Sequence, residues 1–132
     1  MAAHPFRAAV EAGDHAAMVA QLAPDVVFHT PVSFRAVEGR DAVAHVLAAV
    51  MRVFSDFRYT DELAGGDGTE VLVFEAMVGD REVQGIDLLR VNGDGLIADF
   101  TVMVRPLSAT LALRDAMGRE LGLVPQPAEA EQ

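Results

Sequence analysis

From Phe57 to Arg105 the hydrophobic period is two, interrupted only by short glycine-rich breaks. Gly65-Gly66-Asp67-Gly68, Gly79-Asp80 and Asn92-Gly93-Asp94-Gly95 separate four runs, at about 57–64, 69–78, 81–91 and 96–105. Residues of this kind reverse a chain within a few positions, whereas parallel neighbours need crossovers of a dozen or more residues. This half of the chain is therefore expected to fold as an antiparallel meander.

Upstream the period lengthens to that of helices. Pro5 suits a first helical turn, where its missing N–H costs nothing, and Phe6, Ala9 and Val10 share one face until Gly13. Asp14 is a natural N-cap for a second helix that turns Met18, Val19 and Leu22 inward and ends near Pro24. Val26-Val27-Phe28-His29-Thr30 reads as a short strand closed by Pro31. After Gly39, the stripe of Val43, Val46, Leu47, Val50, Met51 and Phe54 defines a long amphipathic helix. A last helix after Pro106 carries Leu107, Leu111, Leu113, Met117 and Leu121. Helices first and a long meander second predict an α+β fold, as one domain over residues 1–124 with a flexible tail at 125–132.

The strand faces point to a site. In the run at 81–91, Val83, Gly85, Asp87, Leu89 and Val91 share a face that is apolar except for one carboxylate, with Gly85 leaving space beside it. In the next run Ala98, Phe100, Val102 and Val104 form an apolar face, and Ile97, Asp99, Thr101, Met103 and Arg105 a mixed one. Such a sheet needs cover on both sides. Helices enclosing a pocket would cover the first face, and a second copy of the chain, giving a homodimer, the outer one. Desolvation raises the pKa of a carboxyl group, so Asp87 is the candidate acid/base. The alternative is that Asp87 accepts bonds from backbone or a neighbouring Thr, Tyr or Arg and is structural. His29, at a strand end beside a proline turn, is placed at the pocket mouth. His4, His15 and His45 are expected in solvent.

Composition narrows the partners. Ten Lys and Arg against 20 Asp and Glu give a formal charge of −10, which disfavours nucleic acid and anionic membranes. The absence of Cys excludes disulfides and thiolate ligands, and no His pair has ligand spacing with carboxylates, so neither a metal site nor another cofactor is expected. The start of the sequence lacks a basic and then apolar leader pattern, and the apolar stretch around 42–51 is too short to span a bilayer; a cytoplasmic protein is expected. The Asn92–Gly95 segment lacks the remaining ligands of a calcium loop. No phosphate loop precedes a helix, and there is no nucleophile elbow.

Several segments carry a family likeness. They are Ala12-Gly13-Asp14, Leu22-Ala23-Pro24-Asp25-Val26-Val27-Phe28, Val37-Glu38-Gly39-Arg40, and Gly85-Ile86-Asp87-Leu88-Leu89-Arg90-Val91 with the Gly93-x-Gly95-Leu96-Ile97 hairpin. In this order and spacing, over about residues 5–120, the chain resembles the nuclear transport factor 2-like superfamily, and within it the SnoaL-like small proteins. The resemblance implies a cone-shaped shell, a curved and mostly antiparallel sheet with N-terminal helices around an apolar pocket, and dimerisation. Ketosteroid isomerase, in that superfamily, pairs an Asp base with an oxyanion hole of Tyr and protonated Asp. Asp87 matches the protonated Asp, but Thr30 stands at the base position before Pro31-Val32, and Phe6 stands at the Tyr position. Gly85 likewise stands where the epoxide hydrolases of the superfamily carry Arg. The cyclase-type members use one acid/base on the inner face, for which Asp87 is the candidate here.

Two functions are therefore expected as alternatives. One is a pocket protein for a small hydrophobic molecule, with Asp87 as acid/base in a cofactor-free isomerisation, cyclisation or dehydration. Thr30 and Tyr59 would bond ligand oxygens, and Phe6, Phe28, Phe57, Phe100 and Val102 would line the cavity. The other is a noncatalytic dimeric binding module, for which a filled core and a fully bonded Asp87 are expected.

Overall fold

The computed structural model describes residues 4–122; the expected tail at 125–132 lies outside them. Four helices, α1 (Pro5–Glu11), α2 (His15–Ala20), α3 (Arg40–Val53) and α4 (Leu107–Glu120), accompany six strands. These are β1 (Leu22–His29), β2 (Val37–Glu38), β3 (Ser55–Ala64), β4 (Thr69–Val78), β5 (Arg81–Val91) and β6 (Ile97–Arg105). They form one curved, unclosed sheet in the order β2-β1-β6-β5-β4-β3. The meander β3-β4-β5-β6 is antiparallel, and β1 joins it parallel to β6. The fold is α+β, with the helices gathered over one face.

Local chemistry sets the helix ends. Gly13, at φ 66°, closes α1, and Asp14 then caps α2 by accepting from the Ala17 N–H at 3.0 Å. The second helix stops at Ala20, before Pro24, and β1 starts four residues earlier than the sequence pattern suggests. Its pairing with β6 is shifted between Leu22 and Val27, so Pro24 sits in an irregular stretch where its missing donor breaks no ladder bond. The Leu22 carbonyl there accepts from Arg40 Nε at 3.0 Å and Nη2 at 2.8 Å. The Gly39 N–H donates to the Val26 carbonyl at 2.8 Å. These bonds fix the start of α3 against β1.

Three side-chain expectations, for Ile97, His4 and His15, are corrected. Ile97 is buried in the core, because the register of β5 on β6 shifts between Arg90 and Val91 and turns it to the inner face. On α4, Leu107 is 73% exposed and Leu111 42%, while Ala109, Leu113 and Met117 face inward. His4 is buried: its Nδ1 accepts from the Phe6 N–H at 3.0 Å and its Nε2 lies 2.6 Å from Glu70. His15 is half-buried, with its ring nitrogen 2.8 Å from the Ala44 carbonyl oxygen. Among the described residues no helix is long and apolar enough to cross a membrane.

Gly85 pairs with Phe74 across the β4–β5 ladder. The space beside Gly85 is not empty, because the Phe74 ring occupies it. A Cβ at residue 85 would lie 2.8 Å from both Phe74 Cε2 and the Met103 carbonyl oxygen, far inside ordinary contact. Gly85→Ala is therefore expected to destabilise the protein by about 1–3 kcal/mol through overpacking. Gly85→Ala/Phe74→Leu should lose less than the sum of the two single changes, as read from urea midpoints at constant m. A neutral Gly85→Ala would show that this packing is not tight.

Candidate functional site

Between the inner sheet face and the helices lies a cavity of about 210 Å³. α1 supplies Phe6, Val10 and Glu11; α3 supplies Val46, Leu47, Val50 and Met51; α4 supplies Leu113 and Met117. Six of the seven phenylalanines and the single tyrosine line it, and the seventh, Phe34, is fully exposed. The rings form two walls. Phe100 meets Phe6 and Phe28 edge-on at centroid distances of 5.2 and 5.1 Å. On the other side Phe57 stacks on Phe74 at 4.9 Å and meets Tyr59 edge-on at 5.0 Å. Each geometry is one that aromatic quadrupoles favour.

Asp87 opens on this cavity from the middle of β5, where strand alternation places it between Gly85 and Leu89 on the inner face. Tyr59, on β3, donates its hydroxyl to Asp87 Oδ2 at 3.2 Å. Both side chains are buried. Burial pushes the Asp87 carboxyl up to about 7, and the Tyr59 bond, which favours the carboxylate, opposes this only in part. Burial, and then the charge of Asp87, also holds the Tyr59 phenol well above its ordinary range. With Oδ2 accepting from Tyr59, the other carboxyl oxygen is left to the cavity. A protonated Asp87 can thus donate to a ligand oxygen, and an ionised one can take a proton from it.

The remaining sequence candidates divide by strand parity. Phe6, Phe28, Tyr59, Phe100, Val102 and Thr30 line the cavity together with Asp87, and Thr30 Oγ1 also accepts from the Val32 N–H at 3.3 Å. His29 does not line it. Phe28 faces inward, so its neighbour faces the opposite side of the sheet, where His29 Nε2 lies 3.1 Å from Asp99 Oδ2. Glu11 is a wall residue that the sequence pattern did not single out. It also pairs with Arg7 one turn back on α1, at 3.1 Å. Arg7 also pairs with Glu62 at 3.2 Å and lies over the Tyr59 ring at 5.7 Å. Among the described residues no group of three or more His, Asp or Glu is placed to hold a metal ion.

Residues 3–100 match the family model for the SnoaL-like domain. The chain is 42% identical to a steroid delta-isomerase from Pseudomonas aeruginosa, covering 89% of this chain and 86% of that one with a TM-score of 0.85. It is 40% identical to an uncharacterised conserved bacterial protein with a cystatin-like fold from Silicibacter pomeroyi, over 89% and 83% of the two chains at a TM-score of 0.84. A nuclear transport factor 2-like protein of unknown function from Mesorhizobium loti shares the fold at 22% identity, over 76% and 85% of the chains, with a TM-score of 0.67. None of the curated proteins matches this sequence. The chain belongs to the SnoaL-like domain family.

The raised Asp87 pKa has a signed consequence for stability. The native carboxyl keeps its proton up to about pH 7, whereas the unfolded one loses it near 3.8. Between these values the native state binds more protons, so stability falls as pH rises from about 4 to about 7, then levels off. Asp87→Asn removes this dependence. Compared with the variant, the wild type should lose on the order of 4 kcal/mol of unfolding free energy across that window, measurable by urea denaturation at each pH. Parallel profiles for the two proteins would contradict an uncharged buried Asp87.

Proposed function

We propose that this SnoaL-like protein binds a small hydrophobic molecule in the cavity and moves a proton on it through Asp87, without a cofactor. The observation that carries the reading is the one buried carboxyl group among the described residues, held near neutral pKa and opening on an otherwise mostly aromatic and aliphatic cavity. A noncatalytic module on this fold calls for a filled core and an Asp87 bonded wholly to protein atoms. A cavity of about 210 Å³ and one Tyr59 bond favour the ligand-binding reading instead.

The chemistry follows from the two protonation states. As an acid, Asp87 donates to a carbonyl or hydroxyl oxygen of the ligand and stabilises negative charge that develops there. As a base, it takes a proton from carbon beside a carbonyl, which is the first step of isomerisation, of aldol-type cyclisation and of many dehydrations. Tyr59 orients the carboxyl group, and Thr30 offers a hydroxyl at the cavity edge. A pKa of about 7 suits both directions at neutral pH.

The steroid delta-isomerase named among the relatives suggests the same class of proton transfer. The groups usual for steroid isomerisation are incomplete here, with Phe6 and Thr30 at two of the positions concerned. Proton exchange is therefore a better first assay than steroid turnover. In deuterium oxide the protein should accelerate loss of the α-protons of 2-tetralone, read by NMR, and Asp87→Asn should remove at least about 90% of the acceleration. Equal exchange in variant and wild type would end the catalytic reading.

The partner proposed for the outer sheet face is a second copy of the chain. Val71, Val73, Met77, Ile86 and Leu88 remain only half-buried there, and Met103 is 50% exposed. Apolar rows of this extent favour a covered face. Sedimentation equilibrium at micromolar concentration should return twice the chain mass, and Met103→Glu with Leu88→Glu should halve it. A monomeric wild type would contradict this.

A further inference from the structure

We infer that the cavity selects an uncharged, flat ligand of one or two fused rings carrying a carbonyl or phenol oxygen, and that a four-ring steroid exceeds it. The inference rests on the reading of the cavity as a ligand site and adds the size, shape and charge of what enters.

Size comes from volume. An apolar cavity of about 150 Å³ holds one benzene, and pockets for drug-sized ligands run from about 300 to 1,000 Å³. At about 210 Å³ this cavity falls between them. In proportion it accommodates about eight to eleven non-hydrogen atoms, roughly half of a steroid skeleton. The mouth does not extend this allowance. Glu11 and Met51 are the exposed members of the wall, so a ring system projecting past them would leave apolar rings in water beside a carboxylate.

Shape comes from the walls. The Phe57–Phe74 stack on one side and the Phe6–Phe100 pair on the other present ring faces and edges to whatever lies between them. Such surfaces favour a planar ring system over a branched aliphatic one of equal volume. Gly85 maintains this geometry, because the Phe74 ring lies against it.

Charge comes from the groups on the wall. The carboxylic acids there are Glu11 and Asp87; among the described residues no Lys, Arg or His side chain lines the cavity, and the nearby Arg7 is paired with Glu11 and Glu62. A carboxylate or phosphate ligand would lose its hydration with no cation to compensate. The acid and the phenol stand together at one place, Asp87 beside Tyr59, so one ligand oxygen is anchored at that end.

The test is a binding series on the full chain, read by ligand fluorescence or calorimetry at about pH 6, where a protonated Asp87 donor predominates. The probes are 2-naphthol, 2-naphthoate and a four-ring phenolic steroid. 2-Naphthol is expected to bind with a Kd at least about tenfold below either of the others, and to lose that binding in Val102→Trp, which fills the cavity. Folding of the variant is checked by circular dichroism. A steroid that binds as tightly as 2-naphthol and displaces it would overturn the size limit while leaving the ligand site standing. Equal binding of 2-naphthoate would overturn the charge limit in the same way. Undiminished binding to a folded Val102→Trp, or no binding by any probe, would remove the ligand site itself and this inference with it.

Discussion

A carboxyl group kept out of water, with one phenol for company, is the constraint around which the rest of this molecule is arranged. Placing Asp87 on the inner face of β5 is costly unless the group is neutral or well bonded. Its one side-chain partner among the described residues, Tyr59, supplies a hydrogen bond at 3.2 Å and does not bring the pKa back to that of an exposed Asp. The sheet tolerates this because its curvature and the four helices build a largely apolar chamber rather than a solid core. A stabilising choice at residue 87 would have been an aliphatic side chain. An acid there is what the proposed proton transfer requires.

The aromatic residues make the chamber possible. Phe74 lies against Gly85, Phe57 stacks on Phe74, and Phe100 is held between Phe6 and Phe28. Rings of this size span the gap between sheet and helices and still leave room beside Asp87. Smaller side chains would let the helices collapse onto the sheet, and bulk at residue 85 would drive Phe74 out of place. The same packing that stabilises the fold therefore defines the space in which a ligand could lie.

Much of this architecture was legible in the sequence because period-two runs and glycine turns leave little freedom. The strands at 69–78 and 81–91 begin and end where the alternation says, and that alternation alone brings Asp87 to the apolar face. Legibility failed where the ladder slips. One shift between Arg90 and Val91 reversed Ile97, and another between Leu22 and Val27 let β1 run past Pro24. The two-residue β2 is too short to leave a pattern. His29 was misplaced at the pocket mouth by its position beside a proline, although the parity of its neighbour Phe28 already put it on the other face. Glu11 was overlooked because an exposed i, i+4 partner of Arg7 gives no sign of standing beside a cavity, and buried His4 because a helix start usually faces water.

The protonation state of Asp87 tests the central claim most directly. With ¹³C-labelled aspartate and Asp87→Asn to assign the resonance, the carboxyl shift can be followed against pH in the folded protein. The structure predicts a titration centred near pH 7, where burial holds the carboxyl. A midpoint near 3.8, the ordinary value for Asp, would mean that the group is solvated and ionised, and would contradict the account of the site.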